Sequence, residues 1–294
     1  MGHTARIRSA QSAAPTGLFS SQRAQSHAPK LADGHSGHSS DAHLRLLQRE
    51  HEQMRRTFFE VAQTQRRLCG PRYLRRGSFE LAGEIFPVND LSGDFVSIFE
   101  AGNEVVFAIG DISGKGLRAA LWFSQIVSML RLQALAQHDP AAVMAAMNRD
   151  LLSSGLEFPM TSVFLGRLKT DTGEITYCNA GHPPAVLNRL NAEAEKLQEG
   201  GPILGVVADA PFRSGTRTLQ PGDSLLAYSD GIAECRSASG PEYGMSGLLQ
   251  AADANRGAAA TPTLFSMLAA VEDFAGDHTR EDDMALLVVH RLED

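Results

Sequence analysis

The chain has 294 residues, 43% of them hydrophobic, which is enough to bury one large core but too few for two domains of full size. A formal net charge of −7 and a pI near 5.8 argue against a nucleic-acid-binding protein, because phosphate binding needs a concentrated basic face. The three cysteines show no CxxC spacing, which favours reduced thiols in a cytoplasmic protein over disulfides or a zinc site. We find no continuous apolar run long enough for a membrane span or a secretory signal, so neither is expected.

Residues 1–40 differ in composition from the rest of the chain, being rich in Ser, Ala, His, Gly and Gln. Such a segment cannot bury enough apolar area to offset the entropy lost on ordering, which predicts a disordered tail. Its histidines are interpreted as part of a solvated tail rather than as a metal site.

One amphipathic helix is predicted over residues 41–70, with Asp41 as N-cap and Gly70 followed by Pro71 as the stop. Its seam consists of Leu44, Leu47, His51, Met54, Phe58, Val61, Gln65 and Leu68. Charged residues flank this seam, which is typical of a short coiled coil and predicts a possible homodimer through residues 41–69. The polar seam positions leave an alternative open, a helix folded back on its own domain.

The domain proper is predicted over residues 78–292. Predicted strands cover 79–85, 95–99, 104–109, 161–168, 174–178, 185–189, 212–219 and 224–228, and a last strand begins at 284. Predicted helices cover 117–137, 140–152 and 263–274, and Asp139 is the N-cap of the second. Strands, two helices, strands, a helix and a final strand make an α+β layout and not a repeating βαβ unit.

Short acidic motifs lie where predicted strands begin or end. Their carboxylates are Asp94, Asp111, Asp230 and the adjacent pair Asp282 and Asp283. Carboxylates at strand ends can converge in space, and unpaired aspartates would repel one another unless a cation held them. Oxygen donors without accompanying Cys or His select Mg²⁺ or Mn²⁺ over zinc.

The glycine-rich motif at 110–116 is not a P-loop, because Lys115 is followed by Gly116 where a P-loop has Ser or Thr. Its glycines are predicted to let the backbone turn tightly before the helix at 117. Lys115 either meets substrate phosphate or is a solvated loop charge, and the sequence leaves both open.

Six motifs occur in a specific order along the chain. They are Leu91-Ser92-Gly93-Asp94-Phe95; Asp111 to Gly116 with Ala119-Ala120-Leu121; Asn179-Ala180-Gly181-His182-Pro183-Pro184; Leu204-Gly205; Tyr228-Ser229-Asp230-Gly231; and Asp282-Asp283-Met284. In this order they resemble the motifs of PPM-type serine/threonine phosphatases, in the sporulation-phosphatase (SpoIIE) branch. The resemblance covers about residues 78–292.

The resemblance implies a PPM phosphatase-like α-β-β-α sandwich with two Mn²⁺ or Mg²⁺ ions at one end, preceded here by an N-terminal helical extension. By motif, it implies that Asp111 bridges both ions, with the Ile112 carbonyl and Asp94 as further ligands. Asp230 and Asp282 would complete the second metal, and Asp283 is held in reserve as its neighbour. Asp111 and Asp230 are the firmest catalytic assignments.

This chain departs from the wider family at two positions. Ser97 stands where the first motif usually has a second acidic residue, which predicts weaker or conditional metal binding. Ser113 stands where many eukaryotic relatives have a histidine proposed as general acid, so water is expected to protonate the leaving group. His182 is interpreted as a local hydrogen-bonding residue of a rigid loop rather than a catalytic acid, and Trp122 as a core residue.

The resemblance implies a phosphatase that removes phosphate from serine or threonine on a bacterial signalling protein, a STAS-domain anti-sigma-factor antagonist. The first alternative, motivated by Ser97, is a catalytically weak module that binds a phosphorylated partner without turning it over. The second is activity on a small phosphorylated molecule. No residues can be assigned to substrate binding from the sequence.

Overall fold

A computed structural model describes residues 36–89, 91–114, 116–153, 158–238 and 240–293. Residues 1–35 of the predicted tail at 1–40, and Lys115, lie outside this described part. The chain divides into two units, Met1–Arg49 and Glu50–Asp294, and the sheets and the candidate site belong to the second.

Helix α1, Ser36–Leu68, is longer than predicted. It begins five residues before Asp41, which is therefore inside the helix and is not its N-cap. The composition of residues 36–40 predicted disorder, but a long helix adds residues at little cost once it has nucleated. The end is as predicted, since Gly70 adopts a φ of 86° immediately after the helix.

The seam of α1 is divided between two environments. Leu44, Leu47 and Met54 are about half exposed. Gln65, near the other end of the helix, is buried, and its amide Nε2 donates a hydrogen bond to the Ser92 carbonyl at 3.3 Å. The polar seam position that weakened the coiled-coil prediction therefore anchors the end of the helix to its own domain, whereas the earlier positions remain open.

The strands and the remaining helices follow in chain order. The strands are β1 Tyr73–Arg76, β2 Phe79–Phe86, β3 Asp94–Ala101, β4 Glu104–Ile112, β5 Thr161–Lys169, β6 Glu174–Ala180, β7 Ala185–Asn188, β8 Glu195–Leu197, β9 Gly200–Gly201, β10 Gly215–Thr218, β11 Ser224–Tyr228 and β12 Met284–Arg291. The helices are α2 Leu117–Ala136, α3 Pro140–Ser153, α4 Asp230–Ala233, α5 Gly244–Ala254 and α6 Ala260–Ala275.

Two sheets form the centre of the fold. One has the order β1-β2-β12-β11-β7-β8, and the other has the order β10-β6-β5-β4-β3 with β9 beside β6. Strand alternation turns Phe107 and Phe164 of the second sheet towards Leu225 and Leu287 of the first, and these side chains are fully buried between the sheets. Each such side chain stabilises the fold by about 1.5–3 kcal/mol.

Helices cover the outer face of each sheet. Helices α2 and α3 pack on the sheet that contains β3 to β6, and α5 and α6 pack on the sheet that contains β11 and β12. The predicted α-β-β-α sandwich is therefore confirmed. Asp139 caps α3 as predicted, since its Oδ1 accepts a hydrogen bond from the Ala141 amide at 3.2 Å.

Several short elements escaped the sequence prediction: β1, β8, β9, α4 and α5. Strand β1 is exposed at alternate positions and has little apolar periodicity, so only its pairing with β2 identifies it. The sheet thus begins before the predicted boundary at residue 78. Among the described residues, one stretch, 118–136, is long and apolar enough to cross a membrane, and it lies in α2, where Ile126 and Leu130 are buried in the core.

Candidate active site

The first half of the candidate site lies on two adjacent strands of one sheet. Asp94 begins β3, and Asp111 faces it directly on β4. Facing residues of an antiparallel pair project from the same side of the sheet, so both carboxylates lie on the face that meets the other sheet. Gly93 lies close beside them, where a larger residue would not fit. A Cβ at residue 93 would lie 2.8 Å from the Ile112 carbonyl oxygen and 3.1 Å from Asp111 Oδ1.

The second half lies at the adjacent ends of β11 and β12 in the other sheet. Asp230 is the first residue of α4, directly after β11, and Asp282 precedes β12. The Ser229 amide donates a hydrogen bond to the Ala285 carbonyl at 3.0 Å, which holds the two strand ends together. A Cβ on Gly231 would lie 2.0 Å from the Asp283 carbonyl oxygen, so only glycine allows this approach.

Asp283 fastens the loop before β3 to the end of the other sheet. Its Oδ1 accepts a hydrogen bond from the Val88 amide at 2.8 Å. Its Oδ2 accepts two more, from Ser92 Oγ at 2.8 Å and from the Gly93 amide at 3.0 Å. This carboxylate is already occupied by three protein donors, which gives Asp283 a structural task and favours Asp282 as the metal ligand of the pair.

The carboxylates act on one another electrostatically. The pKa of Asp111 is raised to about 6, chiefly by burial and in addition by the charges of Asp230, Asp282 and Asp283. Burial likewise raises the pKa of Asp94 well above its usual value, the Ser229 hydroxyl lowers it, and neighbouring carboxylates add to the rise. The five aspartates predicted from the sequence are therefore close enough to form one charge cluster.

The donor set fits a divalent cation. Asp94 Oδ2 is buried and lacks a hydrogen-bond partner among the described residues, an arrangement that is costly unless a cation satisfies it. The carboxylate oxygens and the Ile112 carbonyl suit Mg²⁺ or Mn²⁺. Within the described part of the chain, no three His, Cys, Asp or Glu side chains are already gathered at ligand distance.

Ser97 does not face this cluster. It alternates along β3 with Phe95 and Phe99, which pack against the α2 side of the sheet, whereas Asp94 projects from the opposite face. A carboxylate at residue 97 would therefore point away from Asp94. The structure therefore does not support the expectation that Ser97 weakens metal binding by removing a carboxylate ligand.

The remaining positions singled out in the sequence have structural surroundings. The Ser113 amide donates a hydrogen bond to the Met160 carbonyl at 2.9 Å. Trp122 is partly buried against the core, with its ring 4.3 Å from that of Phe158, as predicted for a core residue. His182 is buried in a loop, and its Nδ1 lies 2.8 Å from Ser162 Oγ.

Sequence reasoning missed Ser162 and Ser229. Ser162 faces Asp111 on β5, and Ser229, whose hydroxyl donates to the Asp283 carbonyl at 3.4 Å, lowers the pKa of Asp94. Ser229 belongs to a quoted motif, which could have drawn attention to it. Ser162 carries no local signal, because its role depends on the register between two strands about fifty residues apart.

Comparison with known proteins identifies the family. The family model "Stage II sporulation protein E (SpoIIE)" matches residues 101–292. The phosphoserine phosphatase RsbU of Bacillus subtilis is 27% identical over 182 residues, which are 61% of this chain and 54% of RsbU. The chain thus spans about half the length of this curated relative, and less of two others.

Solved structures share the fold. The structure of the RsbU and RsbW domains of Rv1364c from Mycobacterium tuberculosis superposes with a TM-score of 0.61 at 26% identity, covering 73% of this chain and 62% of that one. The SiaA-PP2C domain of Pseudomonas aeruginosa superposes with a TM-score of 0.70 at 16% identity, covering 83% of this chain and 99% of that one.

Proposed function

Because the chain belongs to the SpoIIE family and has the PP2C fold, we propose that it is a metal-dependent phosphatase acting on phosphoserine or phosphothreonine of a bacterial signalling protein. The observation that carries this proposal is the meeting of two carboxylate sets at one end of the sandwich. Asp94 and Asp111 come from one sheet and Asp230 and Asp282 from strand ends of the other, with Asp94 Oδ2 buried and unpartnered in the described part.

The residues that would hold two Mg²⁺ or Mn²⁺ ions are Asp111, which the resemblance makes the bridging ligand, the Ile112 carbonyl, Asp94, Asp230 and Asp282. Bound there, the ions would lower the pKa of a water molecule and neutralise charge on the phosphoryl group. Asp283 is retained in the proposal as the neighbouring carboxylate whose three hydrogen bonds hold the loop at residues 88–93 in place.

Two properties of the chain's own side chains bear on the proposed reaction. Burial and mutual repulsion disfavour the ionised forms of Asp94 and Asp111, so a cation is needed for all of the carboxylates to be charged together. Ser113 does not titrate near neutral pH and cannot serve as general acid in place of a histidine. Water is therefore expected to protonate the serine or threonine oxygen that leaves.

The finer proposal is that the substrate is a STAS-domain anti-sigma-factor antagonist in the cytoplasm. The relationship to RsbU, a phosphoserine phosphatase, supports a phosphoprotein substrate. The Rv1364c structure, in which an RsbU domain and an RsbW domain occur together, supports a place in a regulatory partner-switching system.

A homodimer formed through residues 41–69 remains part of this proposal, because the first part of that seam is exposed.

The test is phosphate release from a purified phosphorylated STAS-domain protein, with Mn²⁺, with Mg²⁺ and with EDTA. We expect metal-dependent release by the wild type and loss of release in Asp111→Asn and Asp230→Asn. The matched control is Asp273→Asn, an exposed carboxylate on α6, which should keep full activity. Undiminished release by Asp230→Asn would refute the metal assignment.

The same assay separates the two alternatives. Retention of the phosphorylated protein without release, at saturating Mn²⁺, would indicate the binding module, although Ser97 no longer motivates that function. Release from free phosphoserine or p-nitrophenyl phosphate but not from any phosphoprotein would indicate a small-molecule phosphatase.

A further inference from the structure

The loop that carries His182 is built to hold one side chain in a fixed position. Asn179 grips the backbone of His182 from both sides, its Oδ1 accepting from the His182 amide at 2.8 Å and its Nδ2 donating to the His182 carbonyl at 2.9 Å. Gly181 has a φ of 70°, and a Cβ there would lie 2.8 Å from the Ile203 amide nitrogen. These contacts hold the backbone of His182 in one position.

One ring nitrogen of His182 contacts the row of residues that includes the carboxylates. Its Nδ1 lies 2.8 Å from Ser162 Oγ. Ser162 faces Asp111 across the β4–β5 pair, and Asp111 faces Asp94 across the β3–β4 pair. Because facing residues share a side of the sheet, the four side chains form a continuous row that begins at Asp94 and ends at His182.

The imidazole of His182 is buried and neutral. Burial lowers the pKa of His182 to about 3, an effect that the backbone carbonyl of Tyr228 partly opposes. His182 Nε2 has no hydrogen-bond partner among the described residues, so the ring is held by its contact with Ser162.

The hydroxyl of Ser162 is fixed by this contact. A neutral imidazole has one N–H donor and one bare nitrogen acceptor, and a hydroxyl can donate and accept. The hydrogen bond between His182 Nδ1 and Ser162 Oγ therefore sets the direction of the hydroxyl on the side of the sheet that carries Asp111.

We propose that His182 is a positioning residue that holds Ser162 beside Asp111. It thereby sets the direction of the Ser162 hydroxyl next to this carboxylate. This inference rests on the proposed metal-dependent function. It assigns His182 no contact with substrate.

Four variants and one control test the inference by direct titration of Mn²⁺, followed by calorimetry. His182→Asn and His182→Gln both replace the ring whose Nδ1 lies 2.8 Å from Ser162 Oγ. Ser162→Ala removes the hydroxyl, and Ser162→Thr restores it. The control is His290→Asn, because His290 is equally buried and its Nδ1 lies 2.9 Å from Ser224 Oγ, away from the carboxylates.

Loss of an outer partner of a metal ligand typically costs about 10- to 100-fold in metal affinity. We expect that loss in both His182 variants and in Ser162→Ala, with near-normal affinity in Ser162→Thr and in His290→Asn. Phosphate release should show a lower kcat at a nearly unchanged KM, since substrate is not contacted.

Unchanged Mn²⁺ affinity in His182→Asn and Ser162→Ala would overturn the inference, as would an equal loss in His290→Asn. If a His182 variant does not fold, the comparison of Ser162→Ala with Ser162→Thr decides the matter. The affinity measurement also separates the two proposals. A wild type that binds Mn²⁺ but releases no phosphate contradicts the proposed function, and the variants still test the role of His182.

Discussion

Asp283→Asn is expected to destabilise the fold with little loss of metal affinity. Asp282→Asn is expected to lower metal affinity with little effect on stability. The reason is the three hydrogen bonds that Asp283 accepts from Val88, Ser92 and Gly93. An asparagine can keep its oxygen towards Ser92 and Gly93, but its amino group then faces the Val88 amide, which loses its acceptor.

The magnitude follows from the charge on the acceptor. A hydrogen bond to a charged group contributes about 1.5–3 kcal/mol, so losing one such bond and weakening two costs about 2–4 kcal/mol. Relief of repulsion with Asp94 and Asp111 returns about 0.5–1 kcal/mol. The net loss of about 1–3 kcal/mol corresponds to a fall in Tm of about 2–12 °C for a domain of this size.

Asp282→Asn acts on the cation instead. Asp282 raises the pKa of Asp111 through its charge, so its neutralisation should leave the Tm in EDTA unchanged or slightly higher. The Mn²⁺ affinity should fall by more than about 10-fold, the smallest typical cost of losing even an outer partner of a metal site.

The assay pairs thermal unfolding in EDTA with Mn²⁺ titration of the folded protein, for wild type, both variants and Asp273→Asn as the exposed control. Two results would refute the reasoning: a Tm for Asp283→Asn equal to wild type, or a loss of Mn²⁺ affinity in Asp283→Asn that matches the loss in Asp282→Asn.

Three further outcomes are expected. Gly231→Ala should reduce Mn²⁺ affinity and phosphate release by more than about 10-fold, because its Cβ would lie 2.0 Å from the Asp283 carbonyl and must displace α4. Leu47→Glu combined with Met54→Glu should halve the mass measured by light scattering, since both residues lie on the open part of the α1 seam. In the metal-free protein, the raised pKa of Asp111 means that the folded state holds this proton more tightly than the unfolded chain, so stability should fall by about 3 kcal/mol as pH rises from about 4 to about 6.

Each of these outcomes has its own control. Ala233→Ser, also in α4, should leave release unchanged, and full activity of Gly231→Ala would contradict the packing argument. Arg45→Glu, off the seam, should leave the mass unchanged, and a monomeric wild type would remove the dimer. Asp111→Asn should flatten the stability curve over the same pH range, which an unchanged slope would contradict.

The sequence predicted the strand and helix pattern well where the signal is local. Apolar alternation located β2 to β7, β11 and β12, and the Asp139 cap located the start of α3. The short elements β1, β8 and α4 were missed, because they have too few residues for a period to develop and exist through pairing or packing with distant segments.

The candidate site divides in the same way. Motif order brought out all five aspartates and the Ile112 carbonyl, and the structure gathers the aspartates into one cluster of interacting charges. The resemblance to the family suggested that Ser97 occupies a ligand position of this cluster. Residue 97 is an odd number of positions from Asp94, so strand alternation turns it to the opposite face.

By itself, the sequence determined the chemistry available at the site: hard oxygen donors at strand ends, tight glycine turns beside them, and strands marked by apolar alternation. Only the tertiary structure decided how those groups are used. It gave the Asp283 carboxylate three hydrogen-bond donors from the loop at residues 88–93, and it placed Ser162 between Asp111 and His182. The physical reason is range: periodicity and caps arise between near neighbours in the chain, whereas strand register and the stacking of two sheets depend on contacts between residues far apart in sequence.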